Sequence, residues 1–117
     1  MNFEIRYYYY VTAAGRNVFQ AWFDGLRDRQ AQARIQMRLA RLQVGLFGDV
    51  EPCGGGVSEL RIDWGPGYRV YLARSGREIV LLLTGGDKRT QSADIKQAKE
   101  NWHDYQQRSK VQSKRPR

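Results

Sequence analysis

Residues 57–83, VSELRIDWGPGYRVYLARSGREIVLLL, are the stretch that decides the fold. Three runs rich in leucine, β-branched and aromatic side chains are separated by Gly65-Pro66-Gly67 and by Ser75-Gly76. Runs of this composition favour strands, and the glycine-containing segments between them favour tight turns. Turns this short join antiparallel neighbours. The stretch therefore predicts a three-strand antiparallel meander at residues 57–64, 68–74 and 79–83.

Alternation along these strands predicts which side chains face the core. The first strand is expected to turn Leu60, Ile62 and Trp64 inward and Glu59, Arg61 and Asp63 outward. The second strand is expected to turn Val70 and Leu72 inward and Arg69, Tyr71 and Ala73 outward. The third run is apolar at every position, which is typical of a central strand.

The chain before this stretch predicts one further strand and two helices. Residues 3–10 favour a strand, with Phe3, Ile5, Tyr7 and Tyr9 facing the core and Tyr8 and Tyr10 on the other face. Apolar side chains then recur at helical spacing in two segments, and Asp28 is expected to cap the second helix. The two apolar seams are Val18, Phe19, Trp22, Phe23 and Leu26, followed by Ala31, Ile35, Leu39, Leu42 and Leu46.

Three other segments complete the prediction. A row of arginines beside the second seam, Arg34, Arg38 and Arg41, is typical of a solvated helix face. Residues 45–56 are rich in glycine and favour a loop, and no Lys-Ser, Lys-Thr or helix start follows the triple glycine, so a phosphate-binding loop is excluded. A last helix is expected at residues 93–107, with Ile95, Ala98, Trp102 and Tyr105 as its buried stripe.

Together these elements predict an α+β fold of order β-α-α-β-β-β-α. The first strand is expected to return to the sheet, with the helices packed on one face. The opposite face would then stay open and carry Arg61, Arg69 and Tyr71. We expect one domain at residues 1–107, followed by a basic, flexible tail at residues 108–117.

Charge points to a polyanionic partner. The 117 residues contain 20 Lys plus Arg against 12 Asp plus Glu, a formal net charge of +8. The tail contributes Arg108, Lys110, Lys114, Arg115 and Arg117 and no acid, which leaves +3 for the rest of the chain. Arginine outnumbers lysine fifteen to five. Because the arginine fork binds phosphate and stacks on bases, this bias favours a nucleic acid.

Four cations are expected to converge on one region of the sheet: Arg61, Arg69, Lys88 and Arg89. Like charges on adjacent strands repel, so their crowding favours an anionic ligand. Asp63 or Asp87 could serve as a base, but each is expected to pair with a neighbouring arginine or to cap a turn. The single histidine, His103, offers no partner for acid–base work, and no Cys/His spacing predicts a metal site. The single Cys53, and an N-terminus unlike a signal peptide, favour a cytoplasmic setting without a membrane partner.

Two motifs carry a resemblance to a known family. The blocks "SELRI…GPGYRVY" and "LLLTGGDK-x-TQ-x-x-DI-x-x-A" follow each other in this order, after "WFDGLRDRQAQARIQMRLARLQVGLFGDVEP". This pattern resembles the RelE/HigB toxins of type II toxin–antitoxin systems, in their phage-derived, HigB-like addiction-module killer branch. The resemblance extends over residues 3–105 and leaves the basic tail outside.

The resemblance implies a RelE-like fold and an mRNA endoribonuclease that acts on ribosome-bound mRNA and inhibits translation. It implies no metal and no other cofactor. A small helix-turn-helix antitoxin would neutralise the toxin and alone connect it to operator DNA. The resemblance places phosphate binding at Arg69, with Arg61, Lys88 and Arg89 as further catalytic cations. RNA contacts are expected from Tyr71, Arg74, His103 and Tyr105, although RelE's C-terminal catalytic tyrosine has no matched equivalent here.

Two other functions fit the same fold. A ParE-like protein would inhibit DNA gyrase by binding it and would cut no RNA. A noncatalytic module would use its basic face only to bind RNA or an antitoxin. Fold does not separate these alternatives from a nuclease.

Overall fold

The computed structural model describes residues 4–113 of the chain. Its centre is a five-stranded mixed sheet in the order β1-β5-β4-β3-β2, in which β1 runs parallel to β5 and the other neighbours are antiparallel. The predicted α+β class is confirmed. The elements are β1 (Arg6–Tyr9), α1 (Val18–Asp24), α2 (Arg29–Gln43), β2 (Val50–Gly54), β3 (Val57–Ile62), β4 (Tyr68–Ser75), β5 (Ile79–Asp87), a 3₁₀ turn (Lys88–Thr90) and α3 (Gln91–Ser113).

The prediction of a loop over residues 45–56 is wrong, because β2 lies within it. β2 pairs with β3 from Val50 opposite Leu60 to Gly54 opposite Val57. The strand contains Pro52, which an edge strand tolerates because one side of its backbone makes no ladder hydrogen bonds. Gly54–Gly56 all have positive φ and form the turn into β3, as a connecting turn requires. β2 therefore arises from pairing with β3 rather than from its own strand propensity.

The prediction that the helices share one face of the sheet is also wrong. α1 and α2 pack on one face, where Ile35 and Leu39 meet Leu60 and Val70 in a single core. α3 packs on the other face, where Ala98 and Trp102 meet a second apolar cluster that contains Tyr71. The outward positions of β4 and β5 are Tyr71, Ala73, Leu81 and Leu83, and this apolar surface is what α3 buries. Arg61 and Arg69 lie at the end of this face, beyond this apolar cluster.

The tyrosine strand is shorter and less buried than predicted. Ile5 and Tyr10 are buried, but Tyr8 and Tyr9 are exposed. Tyr9 nevertheless stacks on Phe19 of α1 with ring centroids 5.9 Å apart, so its predicted facing is correct. β1 pairs only with β5 and is an edge strand, which explains its exposure. Phe3 lies outside the described residues.

α1 and α2 bury most of their predicted apolar seams, but both helices end earlier than predicted. Asp28 caps α2 by accepting hydrogen bonds from the backbone N–H of Gln30 and Ala31, as predicted. Four positions of the predicted seam are buried, but the helix ends at Gln43 and Leu46 is exposed. α1 likewise ends at Asp24, before Leu26.

α3 is longer than predicted. It begins at Gln91 and continues to Ser113, so it passes through the boundary predicted between residues 107 and 108. Arg108 donates to the carbonyl of Val11 and pairs with Asp104, which fixes this part of the helix against the N-terminal segment. Residues 114–117 of the predicted tail lie outside the described residues. Within residues 4–113, no helix has both the length and the apolar character needed to cross a membrane.

Candidate functional site

A pocket of about 300 Å³ lies at one end of the β3–β4 pair. Three of its lining side chains are cations, Arg61, Arg69 and Lys88. Arg61 and Arg69 are direct partners in the antiparallel register, so both side chains leave the sheet on the same face, as predicted. Lys88 enters from the turn that follows β5. The remaining lining residues are Asp49, Ile62, Asp63 and Gly67.

Arg61 is paired with two exposed carboxylates. Its Nη2 lies 2.8 Å from Asp49 Oδ1 and 3.3 Å from Glu51 Oε1. The hydrogen bond from Arg61 lowers the pKa of Asp49, and the same bond raises the pKa of Arg61. The Asp49 and Glu51 side chains are 55% and 54% exposed. Ion pairs this exposed contribute little and are screened by salt, so a phosphate can replace either carboxylate.

Asp49 is held beside Arg61 by an arginine of α2. The Arg38 guanidinium donates to the carbonyls of Phe47 (2.9 Å), Asp49 (3.2 Å) and Arg61. The prediction of a solvated arginine row on α2 is therefore wrong for Arg38. Arg34 of the same row lies over the Trp64 ring, with its Cζ 3.8 Å from the centroid. Both arginines bind the loops that enter and leave the pocket end of the sheet.

Arg69 is paired with a buried carboxylate. Its Nε lies 3.3 Å from Glu59 Oε2, and the two side chains are 12% and 5% exposed. Its Nη1 donates to the carbonyl of Gly67 at 2.8 Å. Gln91, the first residue of α3, donates from Nε2 to both oxygens of Glu59, at 2.9 and 3.1 Å.

Sequence reasoning placed Glu59 on an open face and missed this arrangement. Alternation assigns Glu59 to the same face as Arg61, which is correct, but the face is covered at this position. One feature of the sequence could have indicated that Glu59 is buried: in the predicted strand pair, Glu59 lies opposite the large side chain of Tyr71.

Lys88 and Arg89 diverge. Among residues 4–113, no carboxylate oxygen lies within 4.0 Å of the Lys88 ammonium group. Arg89 turns away to Asp87, with Nη2 2.9 Å from Oδ2, and does not line the pocket. Asp87 also caps the 3₁₀ turn, and the hydrogen bond from Arg89 lowers its pKa. Asp87 thus pairs and caps as predicted, whereas Asp63 lines the pocket and makes no ion pair within the described part of the chain.

The four side chains predicted to contact RNA do not meet at this pocket. Tyr71 is fully buried beneath α3. Arg74 lies near the other end of β4, beside a larger, mainly apolar pocket of about 660 Å³. His103 is exposed on α3, and Tyr105 stacks on Trp102 with centroids 5.7 Å apart. No group of three or more potential metal ligands occurs within residues 4–113.

Tyr71→Phe is expected to leave RNA binding unchanged and to raise stability by about 1 kcal/mol. The Tyr71 hydroxyl is buried and has no hydrogen-bond partner, so its removal relieves a desolvation cost. Tyr10→Phe is the matched control, because the Tyr10 hydroxyl donates to Asp104 at 2.6 Å and its loss should lower stability. Urea unfolding of both variants measures the difference. A less stable Tyr71→Phe protein would contradict the prediction.

The thiol of Cys53 is expected to react slowly. Burial and the nearby Glu59 carboxylate raise its pKa to about 11, so little thiolate exists at pH 8. We expect alkylation by iodoacetamide at pH 8 to be roughly 100-fold slower than in urea-unfolded protein, where the thiol has its ordinary pKa. The rate should rise with pH toward 11. Equal rates in the folded and unfolded protein would show that the thiol is not protected.

Comparison with known proteins identifies a relative in Haemophilus influenzae. No protein-family model matches the chain. An uncharacterized protein of Haemophilus influenzae is 52% identical over 81 residues, which cover 69% of this chain and 82% of that protein. Identity at this level over most of the relative establishes common descent and a common fold. The chain therefore belongs to the same family as this uncharacterized Haemophilus influenzae protein.

Proposed function

We propose that the chain is a RelE/HigB-type toxin of a type II toxin–antitoxin module that cleaves ribosome-bound mRNA without a metal ion. A small helix-turn-helix antitoxin is its proposed neutralising partner. The observation that carries the proposal is the convergence of Arg61, Arg69 and Lys88 on one pocket of about 300 Å³. Three cations around a small concave site suit a phosphodiester group.

The proposed reaction is an attack of the RNA 2′-OH on the adjacent phosphorus. The P–O5′ bond breaks, leaving a 2′,3′-cyclic phosphate, and the departing 5′ oxygen takes a proton from water to become a 5′-OH. Negative charge on the phosphoryl oxygens grows in the transition state, and fixed cations stabilise it most effectively in a partly desolvated site. Lys88 supplies that charge at once, Arg69 offers N–H donors while it stays paired with Glu59, and Arg61 supplies charge after the substrate phosphate has replaced Asp49 or Glu51.

We assign proton removal from the 2′-OH to Asp63. Its carboxylate lines the pocket with the three cations. Asp49 is occupied by Arg61, and Asp87 is occupied by Arg89. Asp63 is therefore the pocket carboxylate that has no competing ion pair among the described residues. Orientation of the 2′-OH in line with the leaving oxygen supplies much of the remaining acceleration.

The fold supports the proposal only at a general level. Two helices separate β1 from the later strands, and β1 returns to the sheet beside β5. This arrangement is compatible with the RelE-like order that the sequence resemblance implies. Because related folds support different activities, the pocket and not the topology distinguishes the alternatives.

Induced expression in a bacterial host tests the proposal. We expect growth arrest, rescue by the protein of an adjacent open reading frame, and new 5′ ends in primer extension on mRNA only while translation continues. Cleavage in vitro of mRNA bound to purified ribosomes should yield 2′,3′-cyclic phosphate ends. Asp63→Asn should reduce cleavage, with Asp24→Asn, on the exposed face of α1, as the matched control.

Each alternative gives a different result. Supercoiling defects with intact transcripts would identify a ParE-like inhibitor of gyrase. Salt-dependent RNA binding without strand scission would identify a noncatalytic module. Either result would overturn the nuclease proposal.

A further inference from the structure

We infer that Glu59, held by Gln91, is a positioning residue that fixes the Arg69 guanidinium toward the pocket. The inference rests on the proposed function for its catalytic consequence. Its structural content is independent: Nη1 donates a hydrogen bond to the Gly67 carbonyl at 2.8 Å, and the buried Nε lies 3.3 Å from Glu59 Oε2 in an ion pair that lacks hydrogen-bond geometry. One hydrogen bond and one buried ion pair on a planar group restrict its rotation, so its remaining N–H groups favour one direction.

The ion pairs of Arg61 are exposed, whereas the ion pair of Arg69 is buried. Asp49 and Glu51 beside Arg61 are more than half exposed, whereas the Glu59 side chain is 5% exposed and the Arg69 side chain 12% exposed. Breaking a buried pair leaves an uncompensated charge and is far more costly than exchanging an exposed one. A phosphate that enters the pocket can therefore displace the partners of Arg61 but not the partner of Arg69.

Glu59 acts through Arg69 rather than on the substrate. Glu59 does not line the pocket, and both of its carboxylate oxygens accept hydrogen bonds from Gln91. Gln91 begins α3, and the other anchor of Arg69 is the Gly67 carbonyl just before β4. The direction of one guanidinium is thus set jointly by β3, the β3–β4 turn and the first residue of α3.

The first experiment separates positioning from stability. Glu59→Gln should lower the cleavage rate at saturating RNA between about 10- and 100-fold, with a small change in KM, because misdirected groups lose transition-state contacts. Gln91→Ala keeps the carboxylate, should fold normally, and should lower the rate less. Glu100→Gln and Gln107→Ala, on exposed positions of α3, are the matched controls and should change neither rate nor stability.

A double-mutant cycle tests the path through Arg69. Arg69→Lys keeps the positive charge but cannot be anchored as a fork, so Glu59→Gln should change the rate less than about twofold in that background. A merely structural Glu59 would lower the rate by the same factor in both backgrounds, and that result would overturn the inference.

A third measurement does not depend on nuclease activity. In NMR spectra of the free protein, the Arg69 Nε–H resonance should be resolved and should exchange slowly with water. Glu59→Gln should shift this resonance and accelerate its exchange. Glu100→Gln should change neither. An unchanged Arg69 signal in Glu59→Gln would overturn the inference even if cleavage is observed. If the wild-type protein cuts no RNA, the proposed function fails, and this signal alone decides whether Glu59 positions Arg69.

Discussion

Arg69→Ala is expected to lower RNA cleavage at least roughly 100-fold, the effect of removing one fixed donor from a site that stabilises developing charge. Arg69 lines the pocket, faces Arg61 across the strand pair, and is held by two protein contacts. Single-turnover cleavage of ribosome-bound mRNA by the purified protein measures the loss.

The same substitution should also destabilise the fold. Removing Arg69 leaves the Glu59 carboxylate buried without its cation, which costs about 3 kcal/mol. The Arg69→Ala/Glu59→Gln double variant removes both charges and should recover most of that stability without recovering cleavage. A stable double variant that cleaves at the wild-type rate would show that Arg69 is not part of the site.

Gly85→Ala is expected to be strongly destabilising. A Cβ at this buried position of β5 would lie 2.1 Å from the Cε3 atom of Trp22 and within 2.5 Å of two further ring atoms. Either the indole or the strand must move, and overpacking of this severity costs about 3 kcal/mol. Thermal unfolding should show a midpoint lower by roughly 10–20 °C.

Gly25→Ala is the matched control for this substitution. Gly25 follows α1 with φ −79°, and its nearest neighbours would lie at an ordinary 3.5 Å from an added Cβ. Alanine there should be neutral or raise stability by about 0.5 kcal/mol, because it restricts the unfolded chain. If both variants lose stability equally, contact with Trp22 is not the cause.

Local sequence patterns correctly predicted the features that depend only on residues close together in the chain. The seam of α2 and its Asp28 cap lie within one segment, and the Arg61–Arg69 pair follows from alternation in two strands joined by a short turn. Each of these features depends on residues close together in the chain, so periodicity and turn chemistry were sufficient to predict them.

The features that sequence reasoning missed depend on distant partners. β2 has a proline and a terminal glycine and becomes a strand only because β3 lies beside it. Glu59 is buried because α3, more than thirty residues later, covers its face and places Gln91 on its carboxylate. Burial of Tyr71 has the same cause. Assignment of an open face required knowing where α3 packs, and no local pattern contains that information.

The position of α3 also determines when the site can exist during synthesis. Tyr10 bonds to Asp104 and Val11 to Arg108, which are contacts between positions 94 and 97 residues apart. Contacts between residues so far apart in sequence form late in folding, because the long chain segment between them must first be closed into a loop. The ribosome makes every strand before it makes α3, so a nascent chain at that stage has an uncovered apolar sheet face and a Glu59 carboxylate that Gln91 does not yet hold. A protein proposed to attack translating ribosomes would thus gain its ordered site only after its own translation has passed beyond the sheet.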